Sequence, residues 1–383
     1  MKSIVTKNVD AQSGKLIALS KKIHDNPETG FNEVKAMKWL CEYLESNGFK
    51  VERGICRLPT AFRATYGKGK PSIALMAEYD ALPEIGHACG HNIICTAAIG
   101  AAVAAKSAVD RFGGSIAVLG TPAEELYGGK ALMAERGAFD DIDIAMIVHP
   151  DNSDVASARA LACITLDVEF TGKAAHAAAS PQEGINALEA MILSFNGINS
   201  LRQHINERAR IHGVITKGGD APNVVPDHAA GTFLVRADDD TYLEELKGKV
   251  LNCFKGAALA TGARLKYKWK DYFAPLTANM TLAEAFAANM RAIGREMKPI
   301  PDRAFGSSDV GNVSQVVPTI HPEVAIAPCS VSLHSAEFRA AAVSAEGNLG
   351  LLDGAKAMGM TAVDLLADKK LVNRIKKEFI SAG

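Results

Sequence analysis

The apolar run Ile73-Ala74-Leu75-Met76-Ala77 leads into Tyr79-Asp80-Ala81-Leu82-Pro83-Glu84-Ile85-Gly86-His87-Ala88-Cys89-Gly90-His91-Asn92, and an alanine-rich run from Thr96 to Ala108 follows. A short apolar run of this kind reads as a buried strand, and the alanine-rich run reads as a helix. The loop between them holds a thiol and two imidazoles. Loops at the C-terminal ends of strands are where ligands collect in α/β proteins. A soft sulfur beside a nitrogen suits zinc and similar metals.

The pattern recurs. Ser115-Ile116-Ala117-Val118-Leu119 is a second buried strand and runs into Gly120-Thr121-Pro122-Ala123-Glu124-Glu125; a helix then carries Ala131 to Arg136. Ile142-Asp143-Ile144-Ala145-Met146-Ile147-Val148 is a third strand, ending at His149-Pro150. Parallel strands of one sheet place their C-terminal ends along one edge, so Asp80 with Cys89 and His91, the Glu124-Glu125 pair, and His149 are expected to converge there. Each alone has an ordinary explanation: a buried thiol, a solvated acidic pair, a strand-terminal histidine. Their coincidence in one half of the chain points to a site. In extended backbone neighbouring side chains point oppositely, so one glutamate is expected to bind metal while the other faces substrate. Before this region, Leu16, Leu19 and Ile23 mark a helix that stops before Pro27. Val34, Met37, Leu40 and Leu44 mark another with Gly48 at its end, and short strands are expected at 50–53 and 61–66.

A chain of 383 residues implies two domains or one with a large insertion. Near residue 160 the character changes. Ile164, Leu166, Val168 and Phe170 alternate with Thr165, Asp167 and Glu169, as Leu265, Tyr267 and Trp269 do with Lys266, Lys268 and Lys270. This is the pattern of strands with one wet face. With helices near 184–202 and 241–260 and strands near 211–216 and 230–236, the order βαββαβ reads as a ferredoxin-like α+β unit. It is inserted into the larger α/β domain: 160–273 forms the insertion, and 1–159 with 274–383 the discontinuous outer domain. Glu323-Val324-Ala325-Ile326-Ala327 is a short strand of the return, and Leu333-His334-Ser335-Ala336-Glu337 is a loop before a long helical end.

The net charge of −1 gives no support to a nucleic-acid or membrane partner. No apolar run is read as approaching the roughly 20 residues that span a bilayer, and the N-terminus lacks the apolar core of a signal peptide. Seven scattered cysteines do not form a disulfide framework. A cytoplasmic location, which would keep Cys89 available as a thiolate, is expected.

These residues carry a resemblance. The chain resembles the M20 metallopeptidase and amidohydrolase family, within it the aminoacylase and aminobenzoyl-glutamate hydrolase-like branch. The likeness includes His24-Asp25-Asn26-Pro27-Glu28-Thr29-Gly30-Phe31, the 79–92 stretch and Thr121-Pro122-Ala123-Glu124-Glu125. It continues through Gly172-Lys173-Ala174-Ala175-His176-Ala177-Ala178, Ala221-Pro222-Asn223-Val224-Val225-Pro226-Asp227, Gly306-Ser307-Ser308-Asp309 and Leu333-His334-Ser335. The resemblance implies a zinc-peptidase-like α/β catalytic domain with an inserted ferredoxin-like dimerisation domain. It implies Cys89, His91, Glu125, His149 and His334 as ligands of two divalent metal ions, zinc or manganese foremost, with cobalt or nickel compatible. It implies Glu124 as general base, and His176 and Asn223 as residues that reach a partner subunit's site in a homodimer and polarise the scissile carbonyl. Asp80 would orient a ligand, while Gly306 and Ser307 would contact substrate. Many relatives carry Asp after the Gly-His and a histidine two positions on, where Asn92 and Ile94 stand here. Position 78 is Glu, where distant relatives place a metal-binding histidine. With no arginine in Gly306–Asp309, a substrate-carboxylate clamp comes from elsewhere, Arg236 and Arg303 being the candidates.

The expected function is metal-dependent hydrolysis of the amide of N-acyl or N-aroyl amino acids or short peptides. The alternatives are a di- or aminopeptidase of the same fold and, more remotely, an inactive binding protein on this scaffold. Retention of all five expected ligands and Glu124 speaks against the last. A structural zinc site normally has a closed tetrahedral shell built from paired cysteines, which these dispersed loops do not offer.

Overall fold

The computed structural model describes residues 1–302 and 306–382, and Arg303 lies outside the described residues. The chain forms two compact units. Met1–Arg159, Leu276–Asp302 and the segment from Ser308 onward build the first; Ala160–Pro275 with Gly306 and Ser307 builds the second. Gly306 and Ser307 therefore group with the insertion, whereas the sequence places everything after 274 in the outer domain. The reason is local: Leu161 N–H donates to the Gly306 carbonyl at 2.7 Å, and Arg236 Nη1 donates to Ser307 Oγ at 2.9 Å.

The leading segment of the first unit runs α1 (Lys2–His24), α2 (Val34–Ser46), β1 (Lys50–Arg53), β2 (Phe62–Lys68), β3 (Ser72–Glu78), α3 (His91–Phe112), β4 (Gly114–Thr121), α4 (Glu124–Tyr127), α5 (Gly129–Glu135), β5 (Ile144–Met146) and β6 (His149–Asp151). The insertion holds β7 (Ala162–Thr171), α6 (Ala187–Leu201), β8 (Arg210–Lys217), β9 (His228–Ala237), α7 (Asp240–Thr261) and β10 (Arg264–Phe273). The return is α8 (Met280–Ala292), α9 (Val310–Ser314), β11 (Thr319–Ile320), β12 (Glu323–Ala325), α10 (Ala336–Ala341), α11 (Ala345–Ala367) and α12 (Lys369–Ala382).

The main sheet has the order β1-β2-β4-β3-β5-β11. β3 is parallel to β4 and β5, so their C-terminal ends share one edge, while β1 and β2 add antiparallel strands beyond β4. β3 and β4 are buried at every position, which is why they read as continuous apolar runs without alternation. Burying Ile73, Leu75 and Met76 completely stabilises the fold by roughly 1.5–3 kcal/mol each.

α3 begins at His91, earlier than the alanine-rich run suggests, because Gly90 takes a left-handed conformation (φ 77°) that turns the loop directly into the helix. By length and apolarity α3 could cross a membrane, contrary to the expectation that no run could; 83% of its apolar window is buried inside the protein. It is a core helix, lying between α1 and α11. A Cβ on Gly100 would stand 2.7 Å from Leu16 Cδ1, and one on Gly359 of α11 would stand 2.7 Å from Val5 Cγ1.

Two local expectations are corrected. Glu124-Glu125 is not extended: Ala123 is left-handed (φ 61°), and the two glutamates open the short helix α4. His149 does not close the third strand. That strand ends at Met146, and His149 opens β6, which pairs in parallel with β12 in a separate two-stranded sheet.

The second unit is a four-stranded antiparallel sheet of order β10-β7-β9-β8 with α6 and α7, the ferredoxin-like arrangement expected. Leu166, Val168 and Phe170 of β7 pack with Phe233 of β9 and with Leu246, Val250 and Phe254 of α7. In β10 the alternation is weaker than it reads: Tyr267 remains 43% exposed on this edge strand, whose register with β7 shifts only further on, between Lys270 and Phe273.

Candidate metal centre

At the common edge of β3 and β4 the donors converge. Cys89, His91 and His149 bring one ligand atom each to within 4.8 Å of one another; so do Cys89, Glu125 and His334, and so do His91, Glu124 and Glu125. Cys89 belongs to two of these groups, and its Sγ is 3.4 Å from His149 Nε2. His334 Nε2 is 3.7 Å from Glu125 Oε2, although His334 is otherwise the exposed member of the set.

The backbone aims these groups. A Cβ on Gly90 would stand 2.4 Å from Pro150 Cγ, so only glycine lets the Cys89 loop lie against the His149-Pro150 strand. Asp80 fixes two partners at once. Its carbonyl and Oδ1 accept from His91 Nδ1 at 2.9 and 3.0 Å, while its Oδ2 accepts the Glu125 backbone N–H at 3.0 Å. Holding the proton on Nδ1 leaves Nε2 with its lone pair. His149 is set the same way, Nδ1 donating to the Pro150 carbonyl at 2.7 Å. Glu33, fully buried at the start of α2, accepts the Ala123 N–H at 2.8 Å and so grips the left-handed residue that precedes Glu124.

Electrostatics follow from burial and from the neighbours. Burial pushes the Cys89 thiol above its ordinary value, so ionising it calls for a nearby cation. Burial alone would depress the His91 imidazole, but the charge and hydrogen bond of Asp80, with Cys89 beside the ring, outweigh it and hold the imidazole well above its usual value. Burial, reinforced by Glu78 and Asp309, lifts Glu124 well above the ordinary carboxylate range.

The donors fit a divalent metal. His91 Nε2 and Glu125 Oε1 are buried with no hydrogen-bond partner among the described residues, a costly state for polar atoms unless a cation satisfies them. One sulfur, imidazole nitrogens and carboxylate oxygens make a donor set suited to borderline ions such as zinc.

The remaining expected residues lie in the second unit. His176 is exposed; its Nδ1 accepts from the Ala178 and Ala179 N–H groups, and its backbone bridges to Val224. Asn223 is also exposed, and its carbonyl accepts the Ala177 N–H at 3.0 Å, so these two residues sit on neighbouring segments. Arg236 is held against Ser307.

Several residues beside the donors escaped sequence reasoning. His321, buried in an edge-on contact with His149 at 5.3 Å, is depressed to about 3 by burial. Lys130 and Asp309 are buried against Glu78. Signals for Glu78 and Lys130 existed: a glutamate closing an apolar strand, and a lysine before the apolar Ala131-Leu132-Met133. Glu33 sits 90 residues from its partner Ala123, and nothing local marks it.

Comparison with known proteins agrees with this geometry. Residues 74–342 match the model of peptidase family M20/M25/M40. The chain is 35% identical to the Xaa-Arg dipeptidase of Mus musculus over 99% of its own length and 92% of that protein's. It is 31% identical to a p-aminobenzoyl-glutamate hydrolase chain of Escherichia coli strain K12, covering 97% and 93%. The fold is shared with a dinuclear metal binding peptidase of the M20 family from Bacillus subtilis, at a TM-score of 0.74 and 19% identity, over 94% of this chain and 99% of that one. The chain belongs to peptidase family M20/M25/M40, and its chemistry is metal-dependent hydrolysis of an amide bond.

Proposed function

We propose that the enzyme binds two divalent ions, one at Cys89, His91 and His149 and the other at Cys89, Glu125 and His334, and cleaves N-acyl or N-aroyl amino acids. The observation that carries this reading is the sharing of Cys89 between two donor groups, with Glu124 beside them. Bound divalent ions supply Lewis acidity, polarising an amide carbonyl and making water nucleophilic near neutral pH. Zinc or manganese suits the donors best, with cobalt and nickel compatible.

Glu124 serves as general base. It takes the proton of the attacking water as the oxygen bonds to the amide carbon, then passes it to the nitrogen as the C–N bond breaks. Its raised affinity for protons matches that double task. Asp80 orients His91 and the Glu125 backbone. His176 and Asn223, exposed and adjacent, polarise the carbonyl from the partner subunit of a homodimer; Gly306, Ser307 and Arg236 contact the substrate. A cytoplasmic location fits a site that depends on a reduced thiol.

A second reading, a dipeptidase, is favoured by the 35% identity to a protein named Xaa-Arg dipeptidase. A panel of N-acetyl, N-benzoyl and aminobenzoyl amino acids beside free dipeptides, assayed after metal reconstitution, separates the two. Turnover of acylated compounds, abolished in Glu124→Ala at unchanged metal content, is the expected result. Turnover confined to free dipeptides would transfer the enzyme to the second reading, and no turnover at full metal loading would sink both.

A further inference from the structure

Behind the donors lies a second charged cluster that supplies no ligand to the proposed site. Glu78 closes β3 at 1% exposure, and Lys130 of α5 and Asp309, which precedes α9, are wholly buried. Lys130 Nζ lies 2.5 Å from Glu78 Oε1 and 2.7 Å from Asp309 Oδ1, ion-pair contacts whose angles are not those of hydrogen bonds. Asp309 Oδ2 also accepts the Lys130 backbone N–H at 2.7 Å. Two carboxylates against one ammonium leave these three buried groups with one negative charge in excess.

The orientation of Glu78 shows where that charge is directed. Its other oxygen, Oε2, has no hydrogen-bond donor among the described residues and stands 3.5 Å from His91 Nε2. His91 Nδ1 is taken up by the two Asp80 acceptors, so Nε2 is the ring nitrogen aimed at this oxygen. A cation held at Nε2 would therefore lie close to this carboxylate oxygen as well, and without one a protonated His91 forms an ion pair with it. Stability does not account for the arrangement, since buried ion clusters are commonly replaced by neutral residues of similar volume at no loss of stability.

We infer that Glu78, locked by Lys130 and Asp309, is a positioning residue for the metal pair: its fixed negative charge faces the ions from beside His91 and increases their retention. The inference rests on the metal-centre reading above. Lys130 ties down Oε1 so that Oε2 cannot turn away, and Asp309 holds Lys130 at both its ammonium and its backbone.

The test measures dissociation constants for Zn(II) and Mn(II) by chelator competition, together with the unfolding temperature of each metal-free protein. The proteins are the wild type, Glu78→Gln and the charge-neutral Glu78→Gln/Lys130→Met/Asp309→Asn. Residues that orient metal ligands typically govern affinity by about 10–100-fold, and a loss of that size is expected in Glu78→Gln. The triple variant leaves no uncompensated buried charge; it is expected to fold like the wild type and show the same loss. Unchanged dissociation constants in either folded variant would overturn the inference and leave the cluster a structural ion network. Cys89→Ala in the same assay isolates the underlying reading. Metal binding that depends on Cys89 but not on Glu78 defeats this inference alone, whereas wild-type affinity in Cys89→Ala defeats the metal centre itself.

Discussion

The two units hold their functional side chains in opposite ways. In the first, one group fixes another: Asp80 holds His91 and the Glu125 N–H, Glu33 holds Ala123, and Gly90 lets the Cys89 loop lie on Pro150. In the second, His176 and Asn223 are exposed, supported chiefly by backbone contacts between their own segments, while the core lies between sheet and helices. Buried, interlocked donors are suited to fixing cations in advance of substrate. Exposed groups on short segments are suited to meeting something that arrives. Stability and activity should therefore be coupled in the first unit and separable in the second.

The largest expected effect tests the separable half. His176→Ala should lower kcat by about 10²–10³-fold, the usual loss for one oxyanion donor, with the unfolding temperature unchanged. A drop of several degrees would show that His176 is structural and break the comparison. Asp80→Asn tests the coupled half. It should weaken metal binding by about 10–100-fold and also lower the metal-free unfolding temperature, because Asp80 anchors two backbone or ring N–H groups in a buried place.

A smaller effect concerns pH. Burial, with a contribution from Asp80, raises Glu33 from the ordinary 4.5 to about 7. Between those values the folded protein keeps a proton that the unfolded chain has released, so stability falls as pH rises through this window. Glu33→Gln can still accept the Ala123 N–H but has no proton to lose. Denaturant unfolding of the metal-free protein should show the variant gaining on the order of 1–2 kcal/mol over wild type at about pH 8 and nothing at about pH 4; parallel pH profiles would refute the assignment. Smallest is the helix cap of α7, where Asp239 accepts the Tyr242 N–H at 2.8 Å. Asp239→Ala should cost about 1 kcal/mol of stability at unchanged turnover, whereas altered turnover would tie this helix to the chemistry.

Legibility in the sequence followed the same division. The second unit was readable because its strands alternate: Ile164, Leu166, Val168 and Phe170 face inward along β7. The strands of the first unit were readable as uninterrupted apolar runs, and the convergence of Cys89, His91 and Glu125 followed from the parallel β3 and β4, whereas His149 joins them from β6. The turn at Glu124-Glu125 was not readable, since its left-handed start falls on Ala123, an alanine held by a carboxylate 90 residues away. The end of the third strand was missed because Ile147 and Val148 continue the apolar run after the pairing with β3 has ended. His334 and Asp309 owe their places to contacts between distant segments, which no local pattern encodes. His334 entered only through the family resemblance, not through its own surroundings.

The shared sulfur has a consequence for how the site fills and fails. In the proposed two-ion arrangement Cys89, whose thiol burial holds above its ordinary value, would be one of three donors to each ion and would serve both only as the thiolate. Metal loading would then release the Cys89 proton, so occupancy of both positions would fall together as pH is lowered. Loss follows the same logic. Oxidation of that one sulfur would remove a donor from both positions together, and the 7% exposure of Cys89 limits an oxidant's access to it.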